Sequence, residues 1–234
     1  MPFELAWRGA VVAMEGPGLV IFGTGLMAEV ASFYFEHDSD WRVMAFVVDD
    51  EYVSTNAFAG HPVVPVSRAV SEYPPGSIDA FVAIGYSRRN AVRREKFALM
   101  KGMGYRMATY VSTRATVWMP ERIGENCFIL EDNTIQPFVT VGDNCVLWSG
   151  NHVGHHSSIG AHTFVASHAV ISGSVTIGEQ CFLGVNATLR DGITVGDRCI
   201  VGAGALVMAD CETDGLYVGA ATARSVVPSG RVRL

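Results

Sequence analysis

Residues 123–128 read IGENCF, 141–146 VGDNCV, 159–164 IGAHTF, 177–182 IGEQCF and 195–200 VGDRCI, five near copies spaced by eighteen residues. Between them the aliphatic register does not slip. Every sixth position from Val111 to Val207 is Val, Ile or Leu. A helix would repeat its apolar residues every three to four positions, and a half-buried strand every second. A sixfold period inside an eighteen-residue one fits neither. It specifies a solenoid of three short strands per coil, with each coil stacked on the last.

The longer period sorts the polar side chains. Cys127, Cys145, Cys181 and Cys199 share the fifth hexad position, and Thr163 fills the missing rung. Side chains stacked about 4.8 Å apart inside successive coils form a packed ladder of small groups rather than a metal or disulfide set. Cys211 falls outside that ladder and has no evident partner, so free thiols and a cytoplasmic setting are expected. His162 follows Asn144 and precedes Gln180 in the same register and reads as a solvated rung. His168 stacks between Gly150 and Asn186, where it could line a groove, and His152 takes a corner. His155 lies above Pro137 and directly below Gly173. A glycine one coil above a histidine leaves room over the ring and exposes a backbone N–H, the arrangement of a general base beside an oxyanion donor. His156, between Phe138 and Ser174, either orients its neighbour or packs. A three-histidine zinc site of the γ-class carbonic anhydrase kind needs two histidines five apart, and the chain has no such pair. No metal is expected.

Upstream, residues 18–50 read strand, turn, helix, strand. GLVIF runs into Gly23-Thr24-Gly25-Leu26-Met27-Ala28, then LMAEVASFYFEH with Leu26, Val30 and Phe33 on one side, then RVMAFVVDD. The turn matches G-x-G-x-x-A, in which glycines let backbone approach a phosphate and the helix start offers free N–H groups. Asp49 and Asp50 stand near the place of a ribose-binding acid, and Gly85 ends a later strand at the same sheet edge. Further strands are expected near HPVVPV and over Asp79–Gly85, with a helix in RRNAVRREKFALMKGMG. The unit is about half a dinucleotide fold, which suits a mononucleotide or nucleotide-sugar better than NAD.

The 234 residues are 49% hydrophobic and 17% charged, with net charge −6 and no basic run, which argues against nucleic acid or an anionic membrane as partner. No apolar run reaches membrane-spanning length, and residues 1–18 make a poor secretion signal. The expected plan is an N-terminal extension over 1–18, a Rossmann-like α/β nucleotide-sugar-binding domain over 19–107, a left-handed parallel β-helix over 108–212 and a C-terminal tail over 213–234.

A small nucleotide-binding βαβ domain followed by hexapeptide repeats and the segment V-x-H-H-x-x-I-G resembles the sugar O-acyltransferase group. That group includes sialic acid O-acetyltransferases and PglD-like N-acetyltransferases of nucleotide-linked 4-amino-4,6-dideoxy sugars. The resemblance runs from Leu19 to Arg224. It implies a homotrimer using acetyl-CoA, with no metal, acting in bacterial surface glycan synthesis. It assigns the nucleotide-sugar to Gly23, Thr24, Gly25, Asp49, Asp50 and Gly85. It makes His155 the catalytic base and Gly173 the N–H donor facing the thioester carbonyl. It places the coenzyme along Val185, Ala203 and Gly219. Three positions depart from the family pattern. His156 replaces the glutamate that often follows the base, leaving Glu131 or Asp132 as candidate orienting groups. Phe164 replaces a coenzyme-contacting histidine, and GAATAR, with Arg224, replaces the usual Gly-x-Pro-Ala-Lys. O-acetylation of sialic acid or another sugar, and a non-catalytic nucleotide-sugar-binding trimer, remain alternatives at this stage.

Overall fold

The structure is a computed structural model that describes residues 16–221, together with 226 and 231. The N-terminal domain comprises β1 (Gly18–Phe22), α1 (Leu26–His37), β2 (Arg42–Val48), β3 (Ala57–Phe58), β4 (His61–Pro65), α2 (Val66–Glu72), β5 (Ile78–Val82) and α3 (Ala91–Gly102). Its sheet has the order β3-β4-β2-β1-β5, parallel throughout except for the β3–β4 hairpin. All five residues of β1 are buried, as expected for a central parallel strand covered on both faces. The strands and the two longer helices fall near where the apolar runs put them, except that β5 stops at Val82, so Gly85 lies in the loop beyond the strand rather than at its end; β3 and α2 carry no clear sequence signal.

The face of α1 differs from expectation. Ala28, Ala31, Ser32 and Phe35 pack against the sheet, whereas Leu26 and Phe33 are 82% and 57% exposed. The small residues lie close to the strands, and the larger apolar stripe of α1 is left to border clefts against the solenoid.

From Tyr110 onward the chain winds as a three-sided parallel β-helix of the left-handed hexapeptide kind. One side is a seven-stranded sheet running from Tyr110–Val111 to Leu216–Tyr217. The second has six strands, from Thr116–Val117 to Leu206–Val207, and the third has four, from Thr140–Val141 to Thr194–Val195. Strands pair with partners eighteen residues away, such as His152 with Val170 and Phe164 with Phe182. The hexad aliphatics point inward, and nearly all from Ile129 to Val207 form one buried core.

Each coil turns three corners, and each corner needs a residue in the left-handed region. Positive φ recurs every sixth residue at Asn126, Asp132, Phe138, Asn144, Gly150, His156, His162, His168, Ser174, Gln180, Asn186, Gly192, Arg198 and Gly204. Short polar side chains tolerate that conformation and glycine adopts it freely. Three of the clustered histidines thus occupy turn positions set by backbone geometry. His152, expected at a corner, instead begins the strand His152–Val153 on the second side.

The cysteine ladder is a hydrogen-bonded stack. The thiols of Cys127, Cys145 and Cys181 each donate to a glycine carbonyl fifteen residues on, at 3.2 Å, and the Thr163 hydroxyl makes the equivalent bond to Gly178 at 3.1 Å. Burial holds Cys127 well above the ordinary thiol range and pushes Cys181 up to about 12, so these sulfurs remain neutral packing groups. Cys211 stands outside the ladder, as expected, but packs in the same core in the place of an inward aliphatic. It bridges Val195, sixteen residues back, because the last coil is two residues short. The same offset pairs Leu216–Tyr217 with Ile200–Val201.

Candidate active site

The N-terminal domain docks on the seven-stranded side, where Tyr110, Phe128, Leu130 and Val146 share one apolar cluster with Leu19, Ile21, Phe35 and Phe81, and a polar rung joins the domains beside it. Asn126 extends β5 by accepting from Val82 N–H at 2.7 Å and donating to Val82 O, and it also donates to Asn144 Oδ1 at 2.8 Å. Asn144 bonds His162 Nδ1 at 2.9 Å, and Arg94 reaches Gln180 at 2.6 Å. The rung expected to be solvated is therefore part of the domain interface. Desolvation, then the charges of Arg93 and Arg94, lower the His162 pKa to about 4.

Arg93 lies in this polar part of the interface with no exposed surface. Its guanidinium donates to the carbonyls of Gly85 at 3.0 Å, Asn144 at 3.2 Å and His162 at 2.8 Å, and to Asn90 Oδ1 at 2.9 Å. Burial lowers its pKa to about 10, still far above neutral, so it stays charged. Asn90 in turn donates to Cys181 O at 2.9 Å. Arg88, Arg89 and Asn90 run consecutively at positive φ, a strained segment held by these contacts. Arg93 was not legible as a site residue in the sequence; one arginine in a helix rich in charge looks like a solvated position.

Above the interface a cleft of about 530 Å³ opens between the two domains. Leu26, Met27 and Val30 of α1 form one wall, Gly85 and Tyr86 another, and Trp148, Phe164, Phe182, Val185 and Ala203 the solenoid side. Phe164 and Phe182 stack at 5.7 Å, and Tyr86 packs on both, at 5.2 and 4.9 Å. The structure thus brings Gly85, Phe164, Val185 and Ala203 to one cavity. Gly219 packs directly over Ala203, where an added Cβ would meet Ala203 O at 2.2 Å. Arg224 lies outside the described residues.

The phosphate-type turn lies at the edge of this cleft. Gly23 has φ +120° and approaches Ala83 O so closely that a Cβ would stand 3.0 Å away. Gly25 caps α1 with extended backbone, Thr24 is half-buried before it, and no side chain caps the helix start. The leading N–H groups are thereby left for an anion. Asp49 and Asp50 sit after β2. Asp49 pairs with Lys96 at 2.8 Å, and Asp50 accepts from Ser67 N–H at 3.1 Å; the Ser67 side chain and then this N–H lower the Asp50 pKa.

His155 and His156 stand exposed at the corner between the second and third sides. Their Nδ1 atoms are 3.1 Å apart, and His156 packs at a tilt of 35° on Phe138 with ring centroids 4.7 Å apart. With the proton on His155 Nδ1, that bond leaves His155 Nε2 free to accept. A Cβ added to Gly173 would lie 2.8 Å from His155 Cε1 and 3.0 Å from Nε2, so the imidazole fills the space the glycine leaves. Gly173 N–H has no backbone acceptor among the described residues. The candidate orienting acids are engaged elsewhere: Glu131 accepts from Tyr34 and Ser149, and Asp132 faces Arg114. His156 is the group on His155 Nδ1. His168 projects over Gly150 at the corner beside the cleft.

Among the described residues no group of three or more His, Cys, Asp or Glu side chains is placed to hold a metal ion, and no helix is long and apolar enough to cross a membrane.

Comparison with known families and structures gives consistent matches. Residues 18–99 match the PglD N-terminal domain, 122–155 the bacterial transferase hexapeptide (six repeats) and 174–209 the hexapeptide repeat of succinyl-transferase. No curated protein matches in a sequence comparison. Among solved structures, a histidine-to-asparagine mutant of perosamine N-acetyltransferase from Caulobacter crescentus, in complex with CoA and GDP-perosamine, shares 29% identity. The match covers 86% of this chain and 93% of that one, with a TM-score of 0.76. PerB from the same organism, with the same ligands, gives 29% identity, 86% and 94% coverage and the same TM-score. The acetyltransferase domain of PglB from Neisseria gonorrhoeae matches at 22% identity over 87% of this chain and 97% of that one, with a TM-score of 0.76, a likeness of fold. Residues 18–99 thus form a PglD-type N-terminal domain, residues 122–155 and 174–209 carry transferase hexapeptide repeats, and together with these neighbours they make the chain an acyltransferase enzyme.

Proposed function

We propose that this protein transfers an acetyl group from acetyl-CoA to the amino group of a nucleotide-linked amino-deoxy sugar, of the 4-amino-4,6-dideoxy class, in bacterial surface polysaccharide or glycan synthesis. The observation that carries this reading is the open rung at Gly173, where the His155 imidazole and an unbonded N–H flank one small space. The Caulobacter crescentus structures, 29% identical, hold CoA together with GDP-perosamine, which supports a coenzyme thioester and a nucleotide amino sugar as the two substrates.

In this reading the diphosphate rests on the α1 start at Gly23, Thr24 and Gly25, with Asp49 and Asp50 near the ribose and base and Gly85 beneath the sugar. The coenzyme runs along Phe164, Val185, Ala203 and Gly219 toward Arg224. His155 Nε2 removes a proton from the sugar ammonium. The freed amine bonds to the thioester carbonyl carbon, and Gly173 N–H stabilises the resulting oxyanion. Collapse breaks the C–S bond; the departing thiolate takes up the proton held by His155, and the second proton, shed by the nitrogen as the amide forms, is released to solvent. No covalent enzyme intermediate forms, in keeping with neutral, buried cysteines.

His155 does not line the cleft of its own chain. The cleft borders the seven-stranded side, whereas His155 stands across the second side from it. That separation favours a homotrimer in which one copy's cleft meets another copy's His155. Exposed Val170 and Leu206 on the second side supply apolar surface for such contacts.

The test is a thiol-release assay with acetyl-CoA and UDP-, GDP- and dTDP-linked 4-amino-4,6-dideoxy sugars, alongside their 4-hydroxy counterparts. One amino sugar should be consumed, and the hydroxy sugars should not. His155→Ala should lower kcat by about a thousandfold while acetyl-CoA binding by calorimetry is retained. Wild-type turnover in that variant, or acetylation of only the hydroxy sugars, overturns the reading.

A further inference from the structure

The ladder through His155 continues one coil beyond Gly173 to Asp191. Rungs stand about 4.8 Å apart, so an ordinary side chain at the middle position would separate the outer two. Glycine does not. The position that a Gly173 Cβ would occupy is 3.0 Å from His155 Nε2 and 2.9 Å from Asp191 Oδ1. The two polar atoms therefore lean over the same gap from opposite sides and are separated by no more than the sum of those distances. A nitrogen placed between them is within hydrogen-bond reach of both. Asp191 is exposed, and among the described residues no cation pairs with it. Its neighbour Arg190 turns away and donates to Met208 O at 3.0 Å.

We propose that Asp191 is the acceptor-binding carboxylate of this site and selects a sugar that arrives as an ammonium ion. It rests on the acetyl-transfer reading above. The ammonium donates one hydrogen bond to Asp191 and another to His155 Nε2. The carboxylate is a charged acceptor with no proton to exchange, so it holds the nitrogen while the imidazole takes the proton. The neutral amine then attacks the thioester carbonyl over Gly173. A hydroxyl acceptor carries no charge and has a single proton, which it cannot give to both groups. The pair thus discriminates an amine from an alcohol at the same sugar position, a task for which the His155–His156 pair alone provides no charge.

Asp191→Asn and Asp191→Ser, in the full chain, test this with acetyl-CoA and the amino sugar consumed by the wild type in the nucleotide-sugar panel. The KM for the amino sugar should rise at least about tenfold, as expected for loss of one charge-assisted hydrogen bond. The kcat should fall less, and the dissociation constant of acetyl-CoA should stay within about twofold, because Asp191 touches only the acceptor. A merely structural role would move acetyl-CoA binding as well. An amino-sugar KM unchanged in a variant that still binds acetyl-CoA overturns the role of Asp191 alone, as does loss of acetyl-CoA binding in both variants. Full turnover by His155→Ala, or no amino sugar consumed by the wild type, overturns the acetyl-transfer reading and this proposal with it.

Discussion

At the scale of single residues, the proposed site rests on a missing side chain. Gly173 lets His155 and Asp191 face each other, and Gly154 below it lets the Ser172–Gly173 backbone come close, since a Cβ there would meet Gly173 N at 2.6 Å. Gly173→Ala would drive a methyl group into the His155 ring. It should lower kcat by about a hundredfold, the magnitude of displacing one well-placed catalytic contact, while leaving the unfolding midpoint within a few degrees. Steady-state kinetics beside a thermal melt check both halves. The histidines show how residue type and role separate. His156, His162 and His168 all sit at left-handed corners, and the backbone accounts for their polarity. His155 stands one residue before such a corner, where the backbone makes no such demand.

At the scale of elements, α3 joins the two domains. Arg93 holds Gly85 O from the β5 side and three solenoid carbonyls from the other, with the Phe164 ring 5.8 Å from its guanidinium. Replacing it by methionine would keep much of the volume and orphan those carbonyls. Each buried, unpaired polar group costs about 1–3 kcal/mol, so Arg93→Met should destabilise the chain by about 3 kcal/mol or more. The shift in the urea midpoint measures it. The same variant should weaken nucleotide-sugar binding, because the Gly85 loop loses its tether.

For the whole molecule, docking of the domains carries a pH dependence. His162 has a folded-state pKa of about 4 against an ordinary 6.5, so the folded form prefers the neutral ring. The unfolded chain binds more protons between those values, and stability therefore falls as pH drops from 6.5 toward 4. Above 6.5 both states are neutral and this contribution is constant. His162→Asn, which copies the Asn126 and Asn144 rungs, should flatten the curve of unfolding free energy against pH over that window. An unchanged slope would show that other groups set it.

The sequence by itself determined the solenoid. Its register follows from a period that survives without knowledge of any long-range contact, because each coil repeats the same local demand for an inward aliphatic and a left-handed corner. It also singled out His155 and Gly173, since stacking at eighteen residues is part of that repeat. Only the tertiary structure decided which solenoid face would be covered. The Asn126–Asn144–His162–Gln180 rung has the polarity of a solvated edge, and it is buried because the N-terminal domain supplies Arg93, Arg94 and Val82 as partners. The cleft walls likewise come from α1, the Gly85 loop and aromatic rungs remote in the chain, so no local pattern announced them. Asp191 shares the third hexad position with Glu125, Asp143, Glu179 and Asp197, so its sequence alone did not mark it out; the gap over Gly173 that it shares with His155 is a property of the stacked coils.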